Sequence, residues 1–200
     1  DVTSTDKAIT TVTLTSVDTA DSDSEVTIKG VQTTDTISWT GPTTGTISSA
    51  TITYDSVTGS ADTASVTVGG KTTDLLIAGI ETLTVNTKAF VGKVTAQEAE
   101  TVTITAGSTT TDTTTISDIV QSSAVLATLN LGGSGETLDV EAATIDFKGN
   151  AVVNITNTGS TLLALADLAN ATNTLTVTGG AGIDTINVDA LTKGTITVNT

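Results

Sequence analysis

The segment Gly179-Gly180-Ala181-Gly182-Ile183-Asp184-Thr185-Ile186-Asn187 holds the residues of this chain whose types and spacing best suit chemistry. It follows the pattern Gly-Gly-x-Gly-x-Asp-x-hydrophobic-x position by position. Glycine adopts turn conformations closed to other residues and leaves backbone carbonyls uncovered. An aspartate among them adds a hard, charged oxygen. Ca2+ takes roughly six to eight such oxygens in a flexible cage. Gly180, Gly182 and Asp184 are therefore the first candidates for a calcium site, with Ile186 pinning the outgoing strand to a core. One copy supplies half a cage, because stacked turns of this kind share the ion. The competing reading is a glycine-rich turn with a solvated aspartate.

Two other segments carry weaker versions of the same chemistry. Gly132-Gly133-Ser134-Gly135-Glu136-Thr137-Leu138-Asp139 keeps the glycines but places Glu136 at the fifth position and Thr137 where the pattern has aspartate. Such a turn survives while its ion site shifts or is lost. The acidic stretch of Asp18, Asp21, Asp23 and Glu25 offers four carboxylates over a short span. It lacks the glycine and terminal glutamate of an EF-hand loop, and a solvated loop competes with calcium there.

Other chemistries lack their residues. The chain has no Cys, His or Met. That removes disulfides, thiol nucleophiles, thiolate or imidazole metal sites, and the commonest general base near neutral pH. No Gly-x-Ser-x-Gly elbow and no phosphate-binding glycine loop occurs. Carboxylates are plentiful, but a carbohydrate cleft also uses aromatic platforms, and the aromatics are Trp39, Tyr54, Phe90 and Phe147. The expectation is a protein that is not an enzyme. There are 22 acidic and 7 basic residues, a net charge of −15. This field repels nucleic acid and anionic lipid and attracts divalent cations. No apolar run is long enough to span a membrane. A chain without an initiating Met reads as a processed product or a part of a longer one.

The elements that position these residues are strands. A quarter of the chain is Thr, a β-branched residue suited to a half-buried pleated surface. Period-two alternation recurs, as in Thr51-Ile52-Thr53-Tyr54, Thr82-Leu83-Thr84-Val85, Thr101-Val102-Thr103-Ile104 and Thr174-Leu175-Thr176-Val177. Each run puts apolar side chains on one face and polar ones on the other. Gly, Asp, Ser and Asn clusters between them read as turns. The best helix candidate is Thr161 to Asn170, where Leu162, Leu163, Leu165 and Leu168 approach helical spacing, with an irregular coil corner as the alternative. The fold class expected is all-β in two parts. Residues 1–90, with long polar turns, suit an antiparallel β-sandwich-like domain. Residues 91–200, with apolar beats about 20 residues apart, suit a β-solenoid or parallel β-helix-like domain.

Two stretches resemble a known group. Ile52-Thr53-Tyr54-Asp55, then Ala61-Asp62-Thr63-Ala64-Ser65-Val66-Thr67-Val68, then Leu76-Ile77-Ala78-Gly79-Ile80-Glu81-Thr82-Leu83-Thr84-Val85 resemble S-layer and large RTX-type surface proteins of Gram-negative bacteria. So does Asn154-Ile155-Thr156-Asn157-Thr158-Gly159 leading through Leu175-Thr176-Val177 into the glycine nonapeptide. The resemblance implies one-step secretion to the bacterial cell surface, calcium-dependent folding, and a lattice or sheath of many copies. It carries Gly180, Gly182 and Asp184 over as calcium ligands. That group has tandem nonapeptides; this chain has one close copy.

The leading expectation is a structural, extracellular protein that self-associates with calcium into a lattice or filament, with cell-surface polysaccharide as a further partner. The alternative is a stalk or repeat of an RTX-type adhesin. A third reading, an ice-binding solenoid, needs Thr-x-Thr at one constant coil spacing, and the spacings along this sequence are irregular.

Overall fold

The computed structural model describes residues 2–3, 11–14, 25–39, 49–55, 57–107, 109–120, 126–140, 145, 147, 149–165, 168 and 170–200. Sixteen strands and no helix occur among them. In chain order they are β1 (Val2–Thr3), β2 (Thr11–Leu14), β3 (Glu25–Val31), β4 (Thr36–Trp39), β5 (Ser49–Tyr54), β6 (Thr63–Ala78), β7 (Thr82–Ala96) and β8 (Thr101–Ala106). They continue as β9 (Thr113–Val120), β10 (Thr128–Gly133), β11 (Thr137–Val140), β12 (Ala151–Ile155), β13 (Thr161–Ala164), β14 (Thr174–Thr178), β15 (Asp184–Asn187) and β16 (Thr195–Asn199).

Every ladder among them is parallel, and consecutive strands fall alternately into two rows. The first row runs through β2, β4, the start of β6, the start of β7, β8, β10, β12, β14 and β16. The second runs through β1, β3, β5, the end of β6, the end of β7, β9, β11, β13 and β15. One strand of each row makes a rung, and stacked rungs make a parallel β-solenoid. β6 and β7 are long because each turns the corner without leaving extended structure. Gly70 (φ 73°) makes that bend in β6 and Ala89 (φ 49°) makes it in β7. The second is costly for a residue with a Cβ, by about 1 kcal/mol or more.

Alternation becomes burial. β8 reads half-buried then buried through Thr101, Val102, Thr103, Ile104, Thr105 and Ala106. Inward residues stack on their counterparts one rung away: Val66 on Val85, Val85 on Ile104, Ile104 on Leu131, Leu131 on Ile155. These residues lie in one continuous core that also takes in Phe90 and Phe147. Each fully buried Val, Leu or Ile contributes about 1.5–3 kcal/mol relative to exposure.

Outward residues stack too. Thr82, Thr101, Thr128, Val152, Thr176 and Thr197 form one column, and Thr84, Thr103, Asn130, Asn154, Thr178 and Asn199 the next. Within the second, the Asn130 amide donates to Thr103 Oγ1 at 3.1 Å and the Asn154 amide to Asn130 Oδ1 at 2.9 Å. The opposite face carries ions. Lys93 stands in register between Asp74 and Asp118, with its Nζ 3.0 Å from Asp74.

The solenoid expected for the second part of the chain is present. The antiparallel pairing expected over residues 1–90 is not what the described strands form there. β1 with β3, β2 with β4, β3 with β5, and both β4 and β5 with β6 are all parallel. Alternation fixes which face a side chain takes but not the direction of the neighbouring strand. The connection from Val31 to Thr36 crosses to the other row instead of closing a hairpin, and β3 and β4 do not pair. The helix expected from Thr161 to Asn170 is also replaced. Thr161–Ala164 is a strand between β11 and β15. Thr161, Leu163 and Leu165 point inward and Leu162 is half-exposed, which is a period of two. Among the described residues no helix is long and apolar enough to cross a membrane.

Tyr54 marks a point of incomplete packing. Its hydroxyl is buried without a hydrogen-bond partner among the described residues. Burial, and then the charge of Asp35, raise its pKa well above the ordinary 10.0. Between the unfolded and folded values the native state holds the extra proton, so stability declines as pH rises above about 10. Below that pH this contribution is complete. Tyr54→Phe is expected to leave stability at pH 7 within about 1 kcal/mol of wild type, because an orphaned hydroxyl is removed with little change of shape. It should also flatten the alkaline limb of a plot of melting temperature against pH. An unchanged alkaline limb would remove Tyr54 as its cause.

Candidate functional site: a column of corner turns

The candidate calcium turn is the last of three successive turns at one corner of the solenoid. They join β10 to β11 (residues 134–136), β12 to β13 (156–160) and β14 to β15 (179–183). The chain solves the corner differently each time.

In the first turn the solution is a buried carboxylate. Glu136 is fully buried. Its Oε1 accepts the Ala89 N–H at 2.8 Å. Its Oε2 accepts the Gly107 N–H at 2.9 Å and the Thr114 hydroxyl at 2.8 Å. Thr114 Oγ1 in turn accepts the Phe90 N–H at 3.3 Å and lies 3.0 Å from the Thr87 hydroxyl. Glu136 thus ties the left-handed Ala89 corner to two later rungs. With both oxygens engaged, this relative of the nonapeptide uses its acid for structure.

In the second turn an amide takes the place of the acid. Asn157 is fully buried. Its Nδ2 donates to the carbonyls of Glu136 at 3.2 Å and Ser160 at 3.0 Å, and its Oδ1 accepts the Gly159 N–H at 3.2 Å.

The third turn is the glycine nonapeptide. β14 leads into it and β15 leaves from Asp184 itself. Asp184 Oδ2 accepts the Gly180 N–H at 2.8 Å, and the Gly179 N–H donates to the Asn199 carbonyl at 2.7 Å. The glycines serve close approach. A Cβ on Gly180 would stand 2.6 Å from the Ile155 carbonyl oxygen, and one on Gly182 would collide with the carbonyls of Gly159 and Asn157. The preceding turn occupies the space a side chain needs. Asp184 Oδ1 is buried and has no partner among the described residues. A buried carboxylate oxygen of this kind calls for a hydrogen-bond or cation partner.

Of the oxygens a calcium ion needs, Asp184 offers one uncommitted carboxylate oxygen, while its other oxygen is held by Gly180. No cluster of three or more Asp, Glu, His or Cys suited to a metal occurs among the described residues, so any ion here relies on carbonyls and water. The structure brings Gly180, Gly182 and Asp184 into one turn. Glu25 lies elsewhere, exposed at the start of β3 and paired with Ser49. Asp18, Asp21 and Asp23 fall outside the described residues. Glu136 and Asn157 were not sequence candidates for this corner network, since the partners of Glu136 lie 22 to 47 residues away. The only local hint was the glycine frame around Glu136.

Compared with known proteins, the chain matches no family model, no curated protein and no solved structure.

Proposed function

We propose that this chain is a structural segment of an extracellular bacterial surface assembly (an S-layer, sheath or fibre) whose self-association depends on calcium held at the Gly179–Asn187 turn. The observation that carries the reading is Asp184: one carboxylate oxygen locks the glycine turn and the other is buried without a partner. A cation there would complete the corner as Glu136 and Asn157 complete theirs. The strong negative charge gives the same ion a second role, since acidic copies repel until cations neutralise them.

The reading as an adhesin stalk has its own support. Contacts between strands run to neighbours in each row and hardly beyond, so length can be added by rungs without redesigning a core. In both readings the work is mechanical and not catalytic.

Calcium at about a hundred times its Kd should stabilise the protein by about 2.7 kcal/mol. For a chain of this size that is a rise in Tm of about 5–10 °C. Asp184→Asn should abolish the rise and leave the Tm in EDTA nearly unchanged. Calorimetry on both proteins, with calcium and with EDTA, is the measurement. An equal calcium response in wild type and Asp184→Asn would dismiss this turn as the site.

A further inference from the structure

The first row of strands presents an outward face that, from the start of β6 through β16, carries no ionised side chain but Lys88 among the described residues. Lys88 sits only at its margin, where it pairs with Gly69. This is unexpected for a chain with a net charge of −15. β-propensity favours Thr on an exposed strand but does not keep Lys or Glu away from one. The connections between rungs also differ in length. Thr82 pairs with Thr101, 19 residues on, and Thr101 pairs with Thr128, 27 residues on. The corners absorb the difference, and a neutral pair returns to the same place: Thr-x-Thr or Thr-x-Asn, with Val152-x-Asn154 at β12. Irregular spacing in the sequence thus becomes a regular array in space.

We propose that this neutral Thr and Asn face is the surface through which one copy of the chain associates laterally with a second copy. The inference rests on the reading of the protein as a self-associating structural segment, and names the surface. Two acidic molecules approach most easily where neither carries charge. The surface repeats every ~4.8 Å along the axis, the spacing of adjacent strands. A second copy has that repeat by construction, so Thr columns match over the whole length about a two-fold axis. Seven strands make a face of about 30 Å by about 15 Å. A pair of copies would bury roughly 900 Å², below the ~1,200 Å² of a standard stable interface. A single pairing is therefore weak, and gains strength when many copies align.

The test is sedimentation of the whole chain, up to about 1 mM, the range in which weak pairing becomes visible, in excess EDTA and about 0.5 M NaCl, where salt in place of calcium screens the repulsion between acidic copies. Three proteins are compared: wild type, Thr84→Glu/Thr103→Glu on the neutral face, and Thr51→Glu/Thr53→Glu on the opposite face. Wild type and the opposite-face variant should form dimers with the same dissociation constant. The neutral-face variant should associate about tenfold more weakly or worse, with an unchanged circular dichroism spectrum. If that pair of substitutions disturbs folding, Thr178→Glu, at an exposed position of the same column, takes its place. A monomeric wild type across the range, or variants that pair as wild type does, would overturn the proposal. So would a monomer that shapes ice or binds crystalline polysaccharide through this face, since the occupant would then not be a second copy. Because calcium is absent throughout, failure of the Asp184 site leaves this measurement unaffected, and the reverse also holds.

Discussion

Glu136→Leu is expected to lower the free energy of unfolding by about 4 kcal/mol. The estimate follows from what the carboxylate holds. Two backbone N–H groups and a threonine hydroxyl end on it, and the carboxylate itself is fully buried. An orphaned donor costs about 1–3 kcal/mol. The Thr114 hydroxyl can still donate to Thr87 Oγ1, but two backbone N–H groups are left at once. One of them belongs to Ala89, already in an unfavourable backbone conformation. Total stability of a domain is only about 5–15 kcal/mol, so much of it goes. Glu136→Gln keeps the shape and one acceptor but turns an amide N–H2 toward a donor, and should lose about half as much. Urea unfolding of the three proteins at pH 7 is the check. A Glu136→Leu protein within about 1 kcal/mol of wild type would mean that the corner relaxes and rebonds, contrary to its enclosed geometry.

Gly182→Ala should be the second most damaging change, and its effect should not depend on calcium. The new Cβ meets two carbonyl oxygens of the preceding turn, neither of them on a flexible side chain. Overpacking against backbone costs about 2–3 kcal/mol. The damage should begin in the last rungs, because each rung leans only on its neighbours. Faster hydrogen exchange in β13 to β16, with little change in β7 and β8, is the expected pattern. The contrast with Asp184→Asn is diagnostic. The aspartate substitution is expected to matter only when calcium is present, whereas the glycine substitution should matter with or without it. Full recovery of Gly182→Ala stability on adding calcium would instead make the glycine an ion-site residue.

The strands were legible in the sequence because inward and outward positions alternate strictly. Thr82–Val85 and Thr101–Ile104 read directly as half-buried strands, and both are. The direction of pairing was not legible. A strand solvated on one face alternates in the same way whether its neighbour runs parallel or antiparallel, which is why residues 1–90 read as hairpins. The coil period was hidden by corner segments of unequal length, since rung-to-rung pairing depends on space and not on residue count. The helix candidate Thr161 to Asn170 differs for a related reason: four leucines in a short span suit two periodicities, and pairing of Thr161–Ala164 with β11 and β15 selects the shorter. Of the candidate site, the glycine turn and Asp184 could be read locally because their geometry is local. Glu136 could not, because its partners come from β7, from β9 and from the turn that follows β8.

The unequal rungs have a consequence for a molecule under tension. Thr128 pairs with Val152, 24 residues on, and that rung adds only ~4.8 Å to the height of the stack. The same residues drawn out span about 80 Å. A pull along the axis opens the ladder bonds of an end rung in sequence, like a zip, because they lie along the direction of force. Each rung peeled off releases more than ten times the length it occupied, while those behind it stay folded. The solenoid is therefore a store of hidden length, yielding in steps where a rigid rod would snap.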